Sequence, residues 1–319
     1  MERILARNLV IITSFVLLAG VSGCDNGGNP ATICKNNPEL CDDLHKDSWC
    51  RREKASLIIQ RYQVKTTPEP SGEQVYRLLV NLENYNRCVG LAAGVQHILN
   101  PERTNDRARA YGLSAQSLSE LQASTKGSND IYIAFYHWAH LGDDAALKVL
   151  LEAEKQQQID SPEILAGLAG YYLKFDAIKA KQLYLKVLAK STKENFDPDW
   201  LLGLASASRQ LQDMEQAYLL SRTNLLLTDN PVDEVQLKAM IGNNSQLSTH
   251  LDQQASSLAD ALKGGDYLES DWPKRLQGNE GKDDGKQAET EPVTKQAADS
   301  KPIDSDSKLE KSTEGAKQN

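Results

Sequence analysis

The pattern L-x-G-L-A occurs twice, in LAGLAGYYLKF from Leu165 and in LLGLASASRQL from Leu201, 36 positions on. Each copy leads into a second helix-forming stretch, DAIKAKQLYLKVL and DMEQAYLLSRTNLL. A looser copy, IYIAFYHWAHLGDDAALKVLLEAE, starts at Ile131 and keeps the order of helix, tight turn and helix. A unit of this size is one helix pair, which cannot bury its apolar face alone. Recurrence at such a period therefore requires neighbouring pairs to stack and share a core. Small residues stand where helices would cross: Gly167, Ala169, Gly203 and Ala205 on first helices, and Ala145, Ala180 and Ala217 on second helices. They predict close approach of paired backbones.

Over Asp130 to Thr228 these units resemble tetratricopeptide repeats. The proline that usually ends such a repeat is replaced by Ser161-Pro162 and Asp197-Pro198, which read as an N-cap and first helical residue. The resemblance implies an all-α fold, a right-handed stack of helix hairpins of the alpha-solenoid type with a concave surface for a protein partner. Tyr171, Tyr172, Tyr184 and Trp200 lie in the repeats and are candidates to line that groove. An irregular all-α bundle is the alternative. From about Asp47 to Leu262 apolar residues keep helical spacing, and no alternating strand pattern stands out. SAQSLSELQAS before the repeats, and DEVQLKAMIG and SQLSTHLDQQASSLADALKGG after them, are expected to cap the stack.

The chain opens with Arg3 and Arg7 ahead of an apolar run, Leu9 to Val21. That run is shorter than the ~20 residues of a membrane span and suits the core of a signal peptide. Val21-Ser22-Gly23-Cys24 resembles a bacterial lipobox. The resemblance implies a diacylglyceryl group on the Cys24 sulfur, cleavage after Gly23 and acylation of the freed amine with a palmitate-type chain. Two or more chains hold a protein stably on a membrane where one does not. Asp25 resembles the sorting residue that keeps lipoproteins on the outer face of the inner membrane. The expectation is a lipid-anchored chain facing the periplasm, at the inner rather than the outer membrane. Residues 1–23 would be the signal peptide and 24–33 a flexible tether. An uncleaved anchor and a freely secreted protein are the alternatives.

With Cys24 acylated, Cys34, Cys41, Cys50 and Cys88 remain, an even number in an oxidising compartment. No CxxC pair points to zinc instead. Helices through WCRREKASLIIQRYQV and EQVYRLLVNLENYNRCVGLAAGVQHIL, joined by a loop near Pro68, would pack antiparallel. Cys50 and Cys88 stand at nearly equal distances from that loop, so they face each other. Cys34 is then left to close the short KNNPEL loop with Cys41. CKNNPELC, the later Cys50-Arg51 and the NRC ending at Cys88 resemble a family of gammaproteobacterial lipoproteins defined only as a domain of unknown function. The resemblance spans Ile33 to Leu262. It implies the same address and fold and supplies no catalytic residue.

The expected organisation is completed by a disulfide-stabilised helical region at 34–128, repeats and capping helices at 129–268, and a disordered polar tail at 269–319. After Trp272-Pro273 aromatic residues cease, so the tail has too little apolar surface to offset the entropy of ordering. A net charge of −8 argues against nucleic-acid binding. His137 and His140, one turn apart with Asp143 and Asp144 beyond, are the one place where a metal-dependent or enzymatic function could reside. No GxSxG, P-loop or dinucleotide-binding pattern is present. No cofactor, metal site or catalytic residue is therefore assigned. The reading is a membrane-tethered adaptor for an envelope protein, with an accessory subunit of an envelope complex as the related alternative.

Overall fold

The structure is a computed structural model that describes residues 28–228 and 233–278. Cys24, Asp25, the signal segment and the tail beyond 278 lie outside the described residues. Among the described residues there are thirteen α-helices, two short 3-10 turns and no strand. No described helix is long and apolar enough to cross a membrane.

The N-terminal region holds α1 (Pro30–Asn36), α2 (Arg51–Thr66), α3 (Gly72–Ala93) and α4 (Pro101–Thr125). Ser71 and Gln74 form a reciprocal capping box that starts α3 just after the Pro68–Pro70 turn. Cys50 and Cys88 are bonded across α2 and α3 with Cα atoms 5.9 Å apart, and Cys34 is bonded to Cys41 at 5.7 Å. This is the pairing that antiparallel register predicts. Helix α3 stops at Gly94 rather than at Leu99, and α4 starts at Pro101, well before Ser114. Gly94 ends the helix that the apolar pattern extends to Leu99, and Pro101 at the first helical position starts the next one early.

Residues 37–49 make only one 3-10 turn, and cationic side chains hold them in place. Arg61 binds both oxygens of Asp43 at 2.7 Å and the Leu40 carbonyl at 2.8 Å. Arg107, itself buried, reaches Asp47 at 2.8 Å, and Lys54 donates to the carbonyls of His45 and Asp47. His45 is buried in the middle. Its Nε2 lies 2.7 Å from the Trp49 carbonyl, which can only accept, so Nε2 carries the proton. Nδ1 then accepts from the Tyr85 hydroxyl at 2.8 Å, whose oxygen in turn accepts from the His45 backbone N–H. Every polar atom of the neutral ring is satisfied, and burial lowers its pKa.

Three helix pairs follow: α5 (Ile131–Leu141) with α6 (Asp144–Lys155), α7 (Pro162–Tyr172) with α8 (Ala177–Lys190), and α9 (Asp199–Gln210) with α10 (Met214–Leu227). Asp143, Asp176 and Asp213 cap the second helix of each pair through side-chain acceptance of backbone N–H groups. Gly142 takes φ 68° at the end of α5, and its N–H returns to the Trp138 carbonyl. A Cβ on Gly167 would lie 2.6 Å from the Phe135 ring, and one on Gly203 would lie 2.2 Å from Tyr184. Each glycine thus makes room for an aromatic ring of the preceding pair. Ala169, Ala180, Ala205 and Ala217 are buried as expected, but Ala145 is exposed and Ala146 takes the inward place. The Asp143 cap sets this register, one residue away from where the small-residue pattern puts it.

Two cores run through the body. The smaller gathers Ile33, Leu44, Leu57, Tyr85 and Val89; the larger runs from Tyr76 and Leu79 through the pairs to Leu276. Helix α3 contributes to both, so the expected boundary at 128 does not separate two cores. Helices α11 (Glu234–Ala239), α12 (Ser245–Gly264) and α13 (Trp272–Gln277) complete the described chain. Helix α12 packs on α10, and Gly265 ends it at φ 88°. Residues 269–277, assigned to the tail by composition, instead run from the end of the 3-10 turn Tyr267–Glu269 through α13. Trp272 and Leu276 are buried, and the Gln216 side chain donates to the Leu276 carbonyl at 3.0 Å. Two such side chains contribute about 1.5–3 kcal/mol each, enough to hold a six-residue helix that the polar sequence after it disguises.

Gly203→Ala is expected to lower stability by about 1–3 kcal/mol through overpacking against Tyr184. Gly112→Ala, at an exposed site in α4 with open space around it, is expected to be neutral or to stabilise by up to about 1 kcal/mol. Thermal melts of the two variants check the contrast. The lowered pKa of His45, and of His137, means that stability is full above the ordinary histidine value and is lost as pH falls. The melting temperature should begin to drop below about pH 6.5. Asp47 and Asp106, held ionised, add their loss only at lower pH, in the carboxylate range.

Candidate functional site

His137 and His140 stand one turn apart on α5 but turn to different partners. The His137 ring is buried, with Nε2 at 3.0 Å from the Thr125 hydroxyl at the end of α4. His140 stacks on Tyr136 with ring centroids 4.5 Å apart and places Nδ1 at 2.9 Å from a Glu83 oxygen on α3. The Tyr136 hydroxyl donates to the same carboxylate oxygen at 2.9 Å and accepts from Gln122 of α4 at 2.9 Å. The two rings therefore tie α5 to α3 and α4. No group of three or more His, Cys, Asp or Glu side chains is placed to hold a metal ion among the described residues.

The four aromatic candidates separate into three environments. Tyr184 is buried between α7 and α9, against Gly203, and burial raises its pKa. It belongs to the core rather than to a groove wall. The missing Cβ at Gly203 opens the space it fills, which is why it lies inside. Tyr171 and Tyr172 are half-buried at the end of α7 and form one aromatic cluster with Trp138 and Phe175. Centroid separations are 6.0 Å from Trp138 to Tyr171 and 5.0 Å from Tyr171 to Phe175. Trp200 lies elsewhere, edge-on to Phe196.

Around the Trp138–Tyr171–Phe175 cluster the surface is apolar. Phe175 is 63% exposed, and Leu141, Ile178 and Leu211 are also exposed. These residues come from the turn ends of all three helix pairs. The α7–α8 and α9–α10 turns are joined where Gln210 donates to the Leu173 carbonyl at 3.1 Å. On one flank Lys179 pairs with the buried Glu154 at 2.7 Å and lies 5.8 Å from the Tyr172 ring centre. The turn end is thus an apolar edge with aromatic anchors and a fixed cation beside it. Leu141, Phe175 and Leu211 each precede the capping Asp143, Asp176 or Asp213 by one or two residues. That offset is a sequence signal for this edge which repeat alignment alone does not supply.

Trp200 lines a separate cleft of about 640 Å³ at the opposite ends of the first helices. Glu73 and Arg77 of α3, Tyr132 of α5, and Asp160 and Glu163 around the start of α7 share its walls. Its two cations each pair with one carboxylate, and Glu163, Glu194 and Asp197 are left without an ion pair among the described residues. Arg77 binds Glu73 at 2.7 Å, Lys190 binds Asp160 at 2.6 Å, and the Tyr76 hydroxyl donates to Glu163 at 2.6 Å. The bond to Glu163 and burial together push the Tyr76 pKa far up. With five carboxylates against two cations, the cleft is acidic.

The model of a family described as a protein of unknown function, DUF2989, matches residues 21–222. The chain belongs to this family. The match runs from ahead of the four paired cysteines into α10, so the DUF2989 region includes both disulfides and the apolar edge. Helices α11–α13 lie beyond it. The resemblance drawn from CKNNPELC and its companions extends to Leu262, further than the matched region. Curated proteins and solved structures provide no match.

Tyr184→Ala is expected to destabilise this DUF2989 protein by about 3–5 kcal/mol, as for other large core aromatics. Phe175→Ala should stay within about 0.5 kcal/mol of the parent, because its side chain is mostly in water. Chemical denaturation of both variants distinguishes the core tyrosine from the surface phenylalanine.

Proposed function

We propose that this DUF2989 protein is a lipid-anchored envelope adaptor that holds a protein partner on the apolar edge formed by the turns of its helix pairs. The observation that carries the reading is the collection of Trp138, Tyr171, Phe175, Leu141 and Leu211 on one end of three consecutive pairs. Clustered exposed aromatic and aliphatic side chains mark interaction surfaces, and aromatics there supply most of the binding energy. The Lys179–Glu154 pair beside them adds a fixed charge at the rim, where charges govern partner choice more than affinity.

The body is a tetratricopeptide-like stack in this reading. Two features support it: capping aspartates recur at the same place in each pair, and Gly167 and Gly203 each receive an aromatic ring from the pair before. The lipobox-like Val21 to Cys24 and the following Asp25 support an anchor on the periplasmic side of the inner membrane. Cys24 would carry the lipid, and the few residues between it and α1, shorter than the tether to residue 33 expected from the sequence because α1 starts at Pro30, would hold the helical body close to the bilayer.

Labelled palmitate should enter the parent protein and not Cys24→Ala, and the variant should leave the membrane fraction. Site-specific photocrosslinking in cells tests the edge. A probe at Phe175 or Ile178 should give a reproducible protein adduct that a probe at exposed Gly112 does not give. Identical adducts from all three positions, or none from the edge, would remove the adaptor reading.

A further inference from the structure

The turn between α3 and α4 is the most exposed apolar segment of the described chain. Ile98 is 94% exposed, Leu99 93% and Leu91, on the last turns of α3, 76%. His97 between them turns inward, with its backbone N–H on the Thr104 hydroxyl at 3.0 Å, so the loop is held with its aliphatic side chains outward. Trp49 lies at the same end of the region. Arg107 sits 4.9 Å over its ring and donates to the Ala92 carbonyl, and about half of the indole remains in water. The Cys50–Cys88 bond fixes this end of α2 against α3.

Cations surround the apolar tip. Arg51, Arg52, Arg87 and Arg103 are all exposed there, and Leu91, Arg52 and Arg87 line one shallow depression beside Cys88. Arg52 pairs with Glu53 at 3.3 Å and Arg87 with Glu83 at 3.6 Å, while Arg51 and Arg103 make no ion pair among the described residues. This arginine cluster stands out in a chain whose net charge is −8.

We propose that this tip is a bilayer-docking surface, with Ile98 and Leu99 entering the acyl boundary, Trp49 at headgroup depth and Arg51 and Arg103 on anionic lipid phosphates. Aliphatic tips, an indole and arginine together match the layers of a membrane interface. A second copy of the chain fits worse, because a two-fold contact through this tip would set the unpaired Arg51 and Arg103 against their own copies. The inference goes beyond the anchor at Cys24, since the tip would engage a bilayer with or without the lipid.

The test uses residues 25–319, which retain every described contact and lack Cys24, in flotation with vesicles of equal parts phosphatidylethanolamine and phosphatidylglycerol. The chain should float with these vesicles, less at high salt, and not with phosphatidylcholine alone. Ile98→Asp with Leu99→Asp should cut the bound fraction at least about tenfold, and Arg51→Gln with Arg103→Gln by a similar factor. Circular dichroism melts matching the parent show that the exposed substitutions leave the fold intact. Absence of flotation, or flotation unchanged by both double variants, overturns the proposal. So does concentration-dependent dimerisation abolished by Ile98→Asp with Leu99→Asp, which would assign the tip to a second copy. Because no lipidation is involved, failure here leaves the Cys24 anchor and the partner edge standing.

Discussion

Helix α3 is packed from two directions, and the arrangement of the body depends on that. Its first turns place Tyr76 and Leu79 in the core of the helix pairs, while Tyr85 and Val89 enter the N-terminal core. Glu83 lies between these sets and receives both Tyr136 and His140 from α5. One carboxylate thus aligns the first helix of the pairs on α3. At the other end the bond to Cys50 prevents α3 from sliding past α2. Such a bridge acts mainly by restricting the unfolded chain, contributing about 2–4 kcal/mol.

The loop ahead of α2 shows how a region with few apolar residues is still ordered. Its carbonyls and carboxylates are met by Arg61, Arg107, Arg109 and Lys54, and a neutral histidine fills the centre. Hydrogen bonds to charged groups are stronger than neutral ones, and a buried group left unpaired would be costly. The same economy explains the two histidines of α5. Among aromatic neighbours and carboxylates they could suggest a metal site, yet each ring is spoken for by an adjacent helix.

Much of the fold is legible in the residues. Helical spacing, the Ser161 cap and the recurrence from Leu165 to Leu201 specify successive helix pairs, although α9 starts at Asp199 with Pro198 rather than Asp197 as its cap residue. Distance from the Pro68 turn specifies which cysteines meet. Other features depend on context that a pattern lacks. Ala145 and Ala146 are equivalent in composition, and only the cap at Asp143 decides which faces inward. Residues 269–277 precede a polar stretch and look like part of it, but a distant site on α10 receives them. Tyr184 and Phe175 are both aromatic residues of the α7–α8 pair. Gly203, on the next pair, makes space for the first, while nothing among the described residues covers the second.

The sequence by itself determined an all-helical chain, its caps and turns, and the partners in each disulfide, because these follow from short-range periodicity and simple register. It also carried the signal by which the chain is placed in its family. Only the tertiary structure decided which aromatic side chains are core and which form an edge, that α3 serves two cores, and that an exposed apolar tip stands at the Cys50–Cys88 end. Those outcomes depend on which surfaces of different helices meet, and contact between residues far apart in the chain is a property of packing rather than of local pattern.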